Sequence, residues 1–229
     1  MKMNHCVITV LLSLGMTTAC VDTPSSIQLQ GTSSQNADCT VNDADDVRLL
    51  RGALNLAVAP PGRGFPLGIN ITSNRASTEI EVGGQPISGD EDLNIIYLKE
   101  LVLGYETVPS LNTPISQPEG PILLHGTLEE DGQLLLNLLT GKAETELRAG
   151  VGATPIELLV NIQLRGETAS GEEVESNEII FPLTVGSVAP AACPEGTERA
   201  QATDACPQNG YNGVPALPCV EIPEEEPEP

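Results

Sequence analysis

Carboxylate side chains are the residues of this sequence best suited to hold a ligand. They concentrate around residues 42–46, 90–92 and 129–131, and carboxylate oxygens are ligands that Ca²⁺ prefers. No stretch has the glycine and the distant glutamate of an EF-hand loop, and acidic clusters of this kind are commonly solvated loops. The candidate Ca²⁺ ligands are Asp43, Asp45, Asp46, Asp90 and Asp92.

Side chains for nucleophilic catalysis are scarce. The two histidines are His5, in an N-terminal apolar segment, and His125, and the sequence has no GxSxG nucleophile elbow. Nucleophilic catalysis needs a nucleophile with a base beside it, which this composition does not offer. Paired carboxylates leave no sequence signature, so an envelope hydrolase stays open as an alternative. We predict that the protein is not an enzyme.

The first twenty residues have the pattern of an export signal. Lys2 precedes an apolar stretch over 6–16 that is too short for a stable membrane span, and small residues lead up to Cys20. This arrangement resembles the lipobox of bacterial lipoproteins, in which the cysteine is acylated and becomes the new N-terminus. The resemblance implies a signal peptide over 1–19 and a lipid on Cys20. An ordinary secretory signal cut nearby is the alternative.

The resemblance also bears on where the lipid would insert. Inner-membrane lipoproteins commonly carry Asp after the acylated cysteine, and Val21 stands there instead. The expected location is therefore the outer membrane, with the protein held there by its N-terminal lipid.

Four further cysteines follow the signal, at positions 39, 193, 206 and 219. An even number of cysteines in an exported chain predicts two disulfides, and the absence of a CxxC motif disfavours zinc. Spacing alone leaves all three pairings open. We favour a local Cys206–Cys219 bridge, with Cys39–Cys193 joining the two flanks of the domain.

The charge of the chain limits its partners. The 229 residues have a formal net charge of −22, which repels phosphate backbones and anionic headgroups. Nucleic acid is therefore not an expected partner, nor is a membrane bound through surface charge. With no Trp, two Phe and three Tyr, the core has to be built from Leu, Ile and Val.

Between residues 41 and 187 the dominant pattern is alternation of apolar and polar residues. Its clearest example is Ile156, Leu158, Val160, Ile162 and Leu164, which would share one face of a strand. Turn residues such as Gly83-Gly84 and Asp131-Gly132 separate the runs. Seven or eight strands at this spacing predict an all-β fold, a single antiparallel Ig-like β-sandwich.

Two stretches depart from simple alternation. Continuous alternation over 93–107 would place Lys99 on the apolar face, so we predict a bulge or break at 98–100. Good helix formers over 142–149, followed by Gly150, predict a short helix.

The end of the predicted sandwich carries a second resemblance. The pattern Gly166-x-Thr168-x-x-Gly171-x-x-Val174-x-Ser176-Asn177, followed by Ile180-Phe181-Pro182, is similar to the closing hairpin of Ig-like domains in Gram-negative envelope lipoproteins. Because Pro182 cannot donate to a ladder, its strand should lie at an edge or bulge there.

The flanks differ in composition from the sandwich. Residues 20–40 are polar and read as the lipidated cysteine followed by a flexible tether. Residues 188–220 are rich in Cys, Pro and Gly and predict a disulfide-containing appendage, and 221–229 predict a disordered acidic tail.

These features together predict a lipid-anchored envelope protein with a structural or protein-interaction role, and its expected partner is another envelope protein. A calcium-dependent adhesion or ligand-binding domain that uses the acidic loops is the principal alternative.

Overall fold

The computed structural model describes residues 25–42, 48–75, 81–82, 85–86 and 93–222. Regular secondary structure in these residues is almost all strand, as predicted, with one short helix. The strands are β1 (Ile27–Ser34), β2 (Gly52–Asn55), β3 (Pro66–Ser73), β4 (Glu81–Val82), β5 (Gln85–Pro86), β6 (Ile96–Val108), β7 (Ile122–Leu128), β8 (Asp131–Asn137), β9 (Ile156–Thr168), β10 (Glu173–Glu175), β11 (Ile179–Gly186), β12 (Thr197–Arg199) and β13 (Cys219–Glu221), and the helix is α1 (Gly141–Gly150).

Two sheets enclose a common core. One has three strands in the order β1-β3-β8, and the other has six, in the order β2-β11-β9-β6-β7 with β10 paired to β9. The ladders are antiparallel except for β2, which lies parallel to β11. The purely antiparallel sandwich that we predicted is therefore a mixed one. Two short hairpins, β4-β5 and β12-β13, are separate from these sheets.

The alternation of apolar and polar residues along the strands produces the core. Inward-facing residues of β9, from Ile156 to Thr168, alternate with more exposed ones along the whole strand. They meet inward residues of the three-stranded sheet, among them Ile69 and Leu67, which are fully buried. Burying Leu, Ile and Val in this way supplies most of the favourable free energy of folding, roughly 25 cal/mol per Å² of apolar surface.

Both predicted departures from alternation are confirmed. The pairing of β6 with β7 and with β9 shifts register between Leu98 and Glu100, and the extra residue leaves Lys99 exposed. Helix α1 begins after Thr140, whose side chain accepts a hydrogen bond from the amide of Ala143.

The tether predicted over 20–40 is wrong for residues 27–34, because they form β1. Ile27 and Leu29 are buried in the core and pair with Ser73 and Ile71 of β3. Only these two apolar residues mark the strand in a polar sequence. The sandwich therefore begins well before the predicted boundary at residue 41.

The prediction of two disulfides is confirmed, but the pairing that we favoured is wrong. Cys39 bonds to Cys206 across 167 residues, and Cys193 bonds to Cys219 across 26. The second bridge staples the β12-β13 hairpin, in which Cys219 pairs with Arg199.

The predicted separation between sandwich and appendage is also incorrect. Tyr211 is buried and bridges to Leu54 of β2, and its ring lies 6.0 Å from that of Phe65. The Cys39–Cys206 bond holds this part of the chain against the core, which sequence distance alone gave no reason to expect.

The GxTxxGxxVxSN pattern has a local structural explanation. Gly171 adopts a φ of 88°, which a glycine tolerates, and the hydroxyl of Thr168 accepts a hydrogen bond from the amide of Glu172. Ser176 is buried and accepts from the amide of Leu164 at 2.8 Å. The motif therefore fixes the β9–β10 turn and the entry to β11.

Pro182 lies where β11 has one neighbouring strand. It faces Leu159 of β9, and the pairing of β11 with β2 starts one residue later, at Leu183. Its missing N–H is thus accommodated at the end of a partial edge.

Candidate functional site

Several predicted site residues lie outside the described part of the chain. These are Cys20, the lipidation candidate, and the Ca²⁺ candidates Asp43, Asp45, Asp46, Asp90 and Asp92. The remaining acidic stretch, 129–131, is the turn between β7 and β8, where Asp131 accepts a hydrogen bond from the hydroxyl of Thr72. No three His, Cys, Asp or Glu side chains within the described ranges are grouped so as to hold a metal ion.

His125 lies on the outer face of β7, exposed to solvent. Together with parts of β6 and β7 it lines a groove of roughly 580 Å³ that follows the bulge at Lys99. Because the same groove is lined by Leu123 and Tyr97, its surface is largely apolar. These residues belong to the β7 end of the six-stranded sheet. What the groove can contact therefore depends on whether the backbone groups at the sheet edges are already hydrogen-bonded.

The outer edge of β1 is sealed by hydrogen bonds from other parts of the chain. The side chain of Asn177 accepts from the amide of Leu29 at 2.7 Å and donates to its carbonyl at 3.3 Å. Further along, the amide of Leu49 donates to the carbonyl of Thr32, and that of Asn42 donates to the carbonyl of Ser34. Little of this edge is left to pair with another strand.

The outer edge of β2 is sealed by the segment that Cys206 anchors. The amide of Asn55 donates to Gly210 at 2.7 Å, and the amide of Asn212 donates to Ala53 at the same distance. The side chain of Asn212 accepts from the amide of Ala53 in return. A close approach requires Gly210, since a Cβ there would lie 2.4 Å from the amide nitrogen of Ala59.

The edges of β7 and β8, by contrast, are open. Within the described residues β7 pairs only with β6 and β8 only with β3, and the two strands follow one another through the turn at 129–130. Alternate residues of an edge strand direct their N–H and C=O groups away from the sheet. These two strands therefore present unpaired backbone groups on one side of the sandwich.

The side chains of β7 do little to block this edge. The strand reads ILLHGTL, with neither Lys nor Pro, the residues that commonly protect exposed edges. Leu123 is 73% exposed, and Tyr97 on the neighbouring β6 is 45% exposed. A strand of this composition is suited to accept a further strand.

The loop before β7 is held firmly, which fixes where the edge begins. Both carboxylate oxygens of Glu146 on α1 accept hydrogen bonds from Ser116 at 2.6 Å, and these hydrogen bonds lower the pKa of Glu146. The side chain of Gln117 bonds both the amide and the carbonyl of Tyr105, so it continues the pairing of β6 beyond the end of β7. The open edge therefore has a defined start at Ile122.

No family model matches the chain, and comparison with curated proteins and with solved structures finds no similar protein. Its function has to be inferred from its own geometry.

The most strongly interacting charged groups are Glu144 and Arg148 of α1. Arg148 bonds the Glu144 carboxylate at 2.7 Å and also donates to the carbonyls of Leu56 and Ala59. The amides of Gly62 and Gly64 donate to the same carboxylate. Burial raises the pKa of Glu144, but the hydrogen bonds from Arg148 and the two amides outweigh it, so the pKa lies below the ordinary value of a glutamate.

This ion pair is placed to hold the loop 56–64 that follows β2, and it does not open onto the groove beside β7. Nearby, the buried hydroxyl of Tyr211 has no hydrogen-bond partner within the described residues, and burial raises its pKa. We assign the cluster a structural role at the sealed end of the sheet.

Neither the Glu144–Arg148 ion pair nor the open edge of β7 was identified from the sequence. The Glu144–Arg148 spacing of four residues in a predicted helix was a usable signal for an ion pair. The open edge had no such signal, because strand order is decided by contacts distant in sequence.

Proposed function

We propose that the protein is a lipid-anchored, non-enzymatic module of the bacterial cell envelope that binds another envelope protein through β7. The observation that carries the proposal is the contrast between β7, an apolar edge strand with open backbone groups, and the sealed edges of β1 and β2. Addition of a partner strand to such an edge is a recurring mode of protein recognition.

The location is supported by the cysteines. Both pairs in the described chain are bonded, which indicates an oxidising, extracytoplasmic compartment. No helix in the described ranges is long and apolar enough to cross a membrane. We propose that attachment depends on a lipid at Cys20 and that the outer membrane is the site.

The position of β1 limits how far a lipid anchor could hold the sandwich from the membrane. Ile27 is the first strand residue in the described part of the chain and lies seven positions after Cys20. Seven extended residues span at most about 25 Å. The proposed anchor would therefore keep the sandwich close to the membrane, where envelope partners are concentrated.

Metabolic labelling with a clickable fatty acid tests the anchor. We expect label on the wild-type protein and none on Cys20→Ala, with fractionation moving the variant from the membrane to the soluble fraction. Equal labelling of both proteins, or labelling of neither, would refute a lipid on Cys20.

Site-specific photo-cross-linking in intact cells tests the interaction. A photoreactive residue in place of Leu123 should give a discrete adduct with another envelope protein. The matched control replaces Asn161, which is exposed on β9 of the same sheet and has paired strands on both sides. Adducts of equal yield at both positions, or none at Leu123, would contradict the proposal.

A further inference from the structure

The open edge of β7 is flanked by unneutralised acidic groups. Glu129 and Glu130 follow the strand directly and are exposed, and Glu100 lies opposite Leu123 on β6. None of these three carboxylates forms an ion pair within the described residues. A strand added to β7 would therefore lie beside several free negative charges.

The protein's own basic residues are mostly engaged elsewhere. Six described Lys and Arg side chains form ion pairs: Arg51, Arg75, Lys99, Lys142, Arg148 and Arg165. Arg63 and Arg199 donate to backbone carbonyls. Lys99, the basic residue nearest the groove, is held by Glu167 on β9. Arg48 forms no ion pair within the described residues, but it adjoins Leu49, which bonds to β1 at the edge of the three-stranded sheet opposite β8. Neutralisation at the β7 edge therefore has to come from a partner.

We propose that β7 accepts an extended segment of a partner protein that alternates apolar residues with Lys or Arg. This inference rests on the proposed function, since it specifies the partner of the same edge. The segment would need about seven residues to match Ile122–Leu128, roughly 23 Å of strand. Its apolar side chains would lie beside Ile122 and Leu124, which pack partly against the core. Its basic ones would lie on the outer face, which Leu123 shares with Glu100, and would approach Glu100, Glu129 and Glu130.

Charge also distinguishes this occupant from a second copy of the chain. Pairing β7 with its own counterpart would bring together two chains that each carry a formal charge of −22. A basic strand is attracted to the acidic chain, whereas a second copy of the chain is repelled by it. Complementary charge of this kind raises association rates and selects partners.

Fluorescence anisotropy with short peptides tests the inference on the folded protein. The probe is a labelled, end-blocked heptapeptide of alternating Val and Lys, and its counterpart carries Glu in place of Lys. We expect binding of the Lys peptide at low ionic strength, weakening as salt is added, and no binding of the Glu peptide. Equal binding of both peptides, or of neither, would overturn the inference.

Two pairs of variants locate the binding site. Glu129→Lys with Glu130→Lys should weaken binding of the Lys peptide about tenfold, since two attractions become repulsions. The charge-matched control, Glu195→Lys with Glu198→Lys near the β12-β13 hairpin, should bind as wild type at the same ionic strength. Leu123→Lys should also weaken binding about tenfold, unlike Asn161→Lys on the central strand β9. Losses of equal size in the controls would show that net charge alone drives binding and would overturn the inference.

The peptide experiment and the cross-linking experiment fail separately. A cross-link from position 123 with no binding of the Lys peptide would leave the interaction edge in place and refute a basic partner strand. Absence of the cross-link would refute the proposed function itself.

Discussion

The two edge strands of the six-stranded sheet differ in whether another segment of the chain covers them. At one end β2 is covered by residues 210–212, which the Cys39–Cys206 bond anchors against the core. At the other end β7 has no strand or segment along its outer side within the described chain. The sealed end requires contacts between residues more than a hundred positions apart, whereas the open end consists of β7 and β8, which follow one another along the chain and pair with β6 and β3. The comparison indicates that stability is concentrated at the first end and that the second is available for binding.

The largest loss of stability should follow removal of the disulfide that anchors the sealed end of the sheet. Replacing Cys39 and Cys206 by Ser releases a loop of 167 residues and should cost about 5 kcal/mol on the chain-entropy argument. The control, Cys193→Ser with Cys219→Ser, releases 26 residues and should cost about 3.5 kcal/mol. Urea unfolding measures both, and a larger loss in the control would contradict the importance of the sealed end.

Removal of the Glu144–Arg148 ion pair behind β2 should cause the next largest loss of stability. Glu144→Ala leaves the partly buried guanidinium of Arg148 without its carboxylate partner and should cost about 3 kcal/mol in urea unfolding at neutral pH. The control Glu146→Ala removes a more exposed carboxylate of the same helix and should cost clearly less. Equal losses would show that the Glu144 contacts have no special role.

Glu144 should also make stability depend on pH. Its pKa is lowered in the folded protein, so its contribution is fully present above about pH 4.5 and is lost as the pH falls through the folded pKa. Glu144→Gln should therefore lose less stability than wild type as the pH is lowered through and below the ordinary pKa of a glutamate. Parallel pH profiles for the two proteins would exclude Glu144 as the titrating group.

At one end of β1 the seal is made by a single side chain, and removing it should cause a smaller loss of stability. Asn177→Ala removes two hydrogen bonds to Leu29 and should cost about 1–2 kcal/mol. Asn161→Ala, at an exposed position on β9, should change the free energy of unfolding by less than about 0.5 kcal/mol. If the two variants unfold at the same urea concentration, the edge of β1 is not held in the way we describe.

A substitution at the open end of the sheet should change the stability least. Leu123→Lys should change the free energy of unfolding by less than about 0.5 kcal/mol, because the side chain is already 73% exposed. The same substitution should abolish the cross-link made from a neighbouring probe at Thr127. A large loss of stability would mean that Leu123 belongs to the core and not to a binding surface.

The parts of the fold that could be predicted from the sequence are the local ones. Alternation predicted the main strands between residues 41 and 187, the mismatch at Lys99 predicted the bulge, and helix-forming residues before Gly150 predicted α1. These depend on side-chain period and backbone propensity, which a short window of sequence contains.

What could not be predicted depends on pairings distant in sequence. β1 has only Ile27 and Leu29 to mark it, and it is stabilised by β3 and by Asn177, so its own composition suggested a tether. The disulfide partners of Cys39 and Cys219 follow from the same long-range arrangement. The open edge of β7 is a property of strand order, which no single segment determines.

Amide hydrogen exchange, followed residue by residue in the free protein, tests the central claim most directly. The account predicts slow exchange at Leu29, Ala53 and Asn55, whose amides are bonded at the sealed edges. It predicts fast exchange at alternate amides of β7, the ones directed away from β6. Protection along β7 as strong as at Ala53 and Asn55 would contradict the account, because it would mean that this edge is already covered.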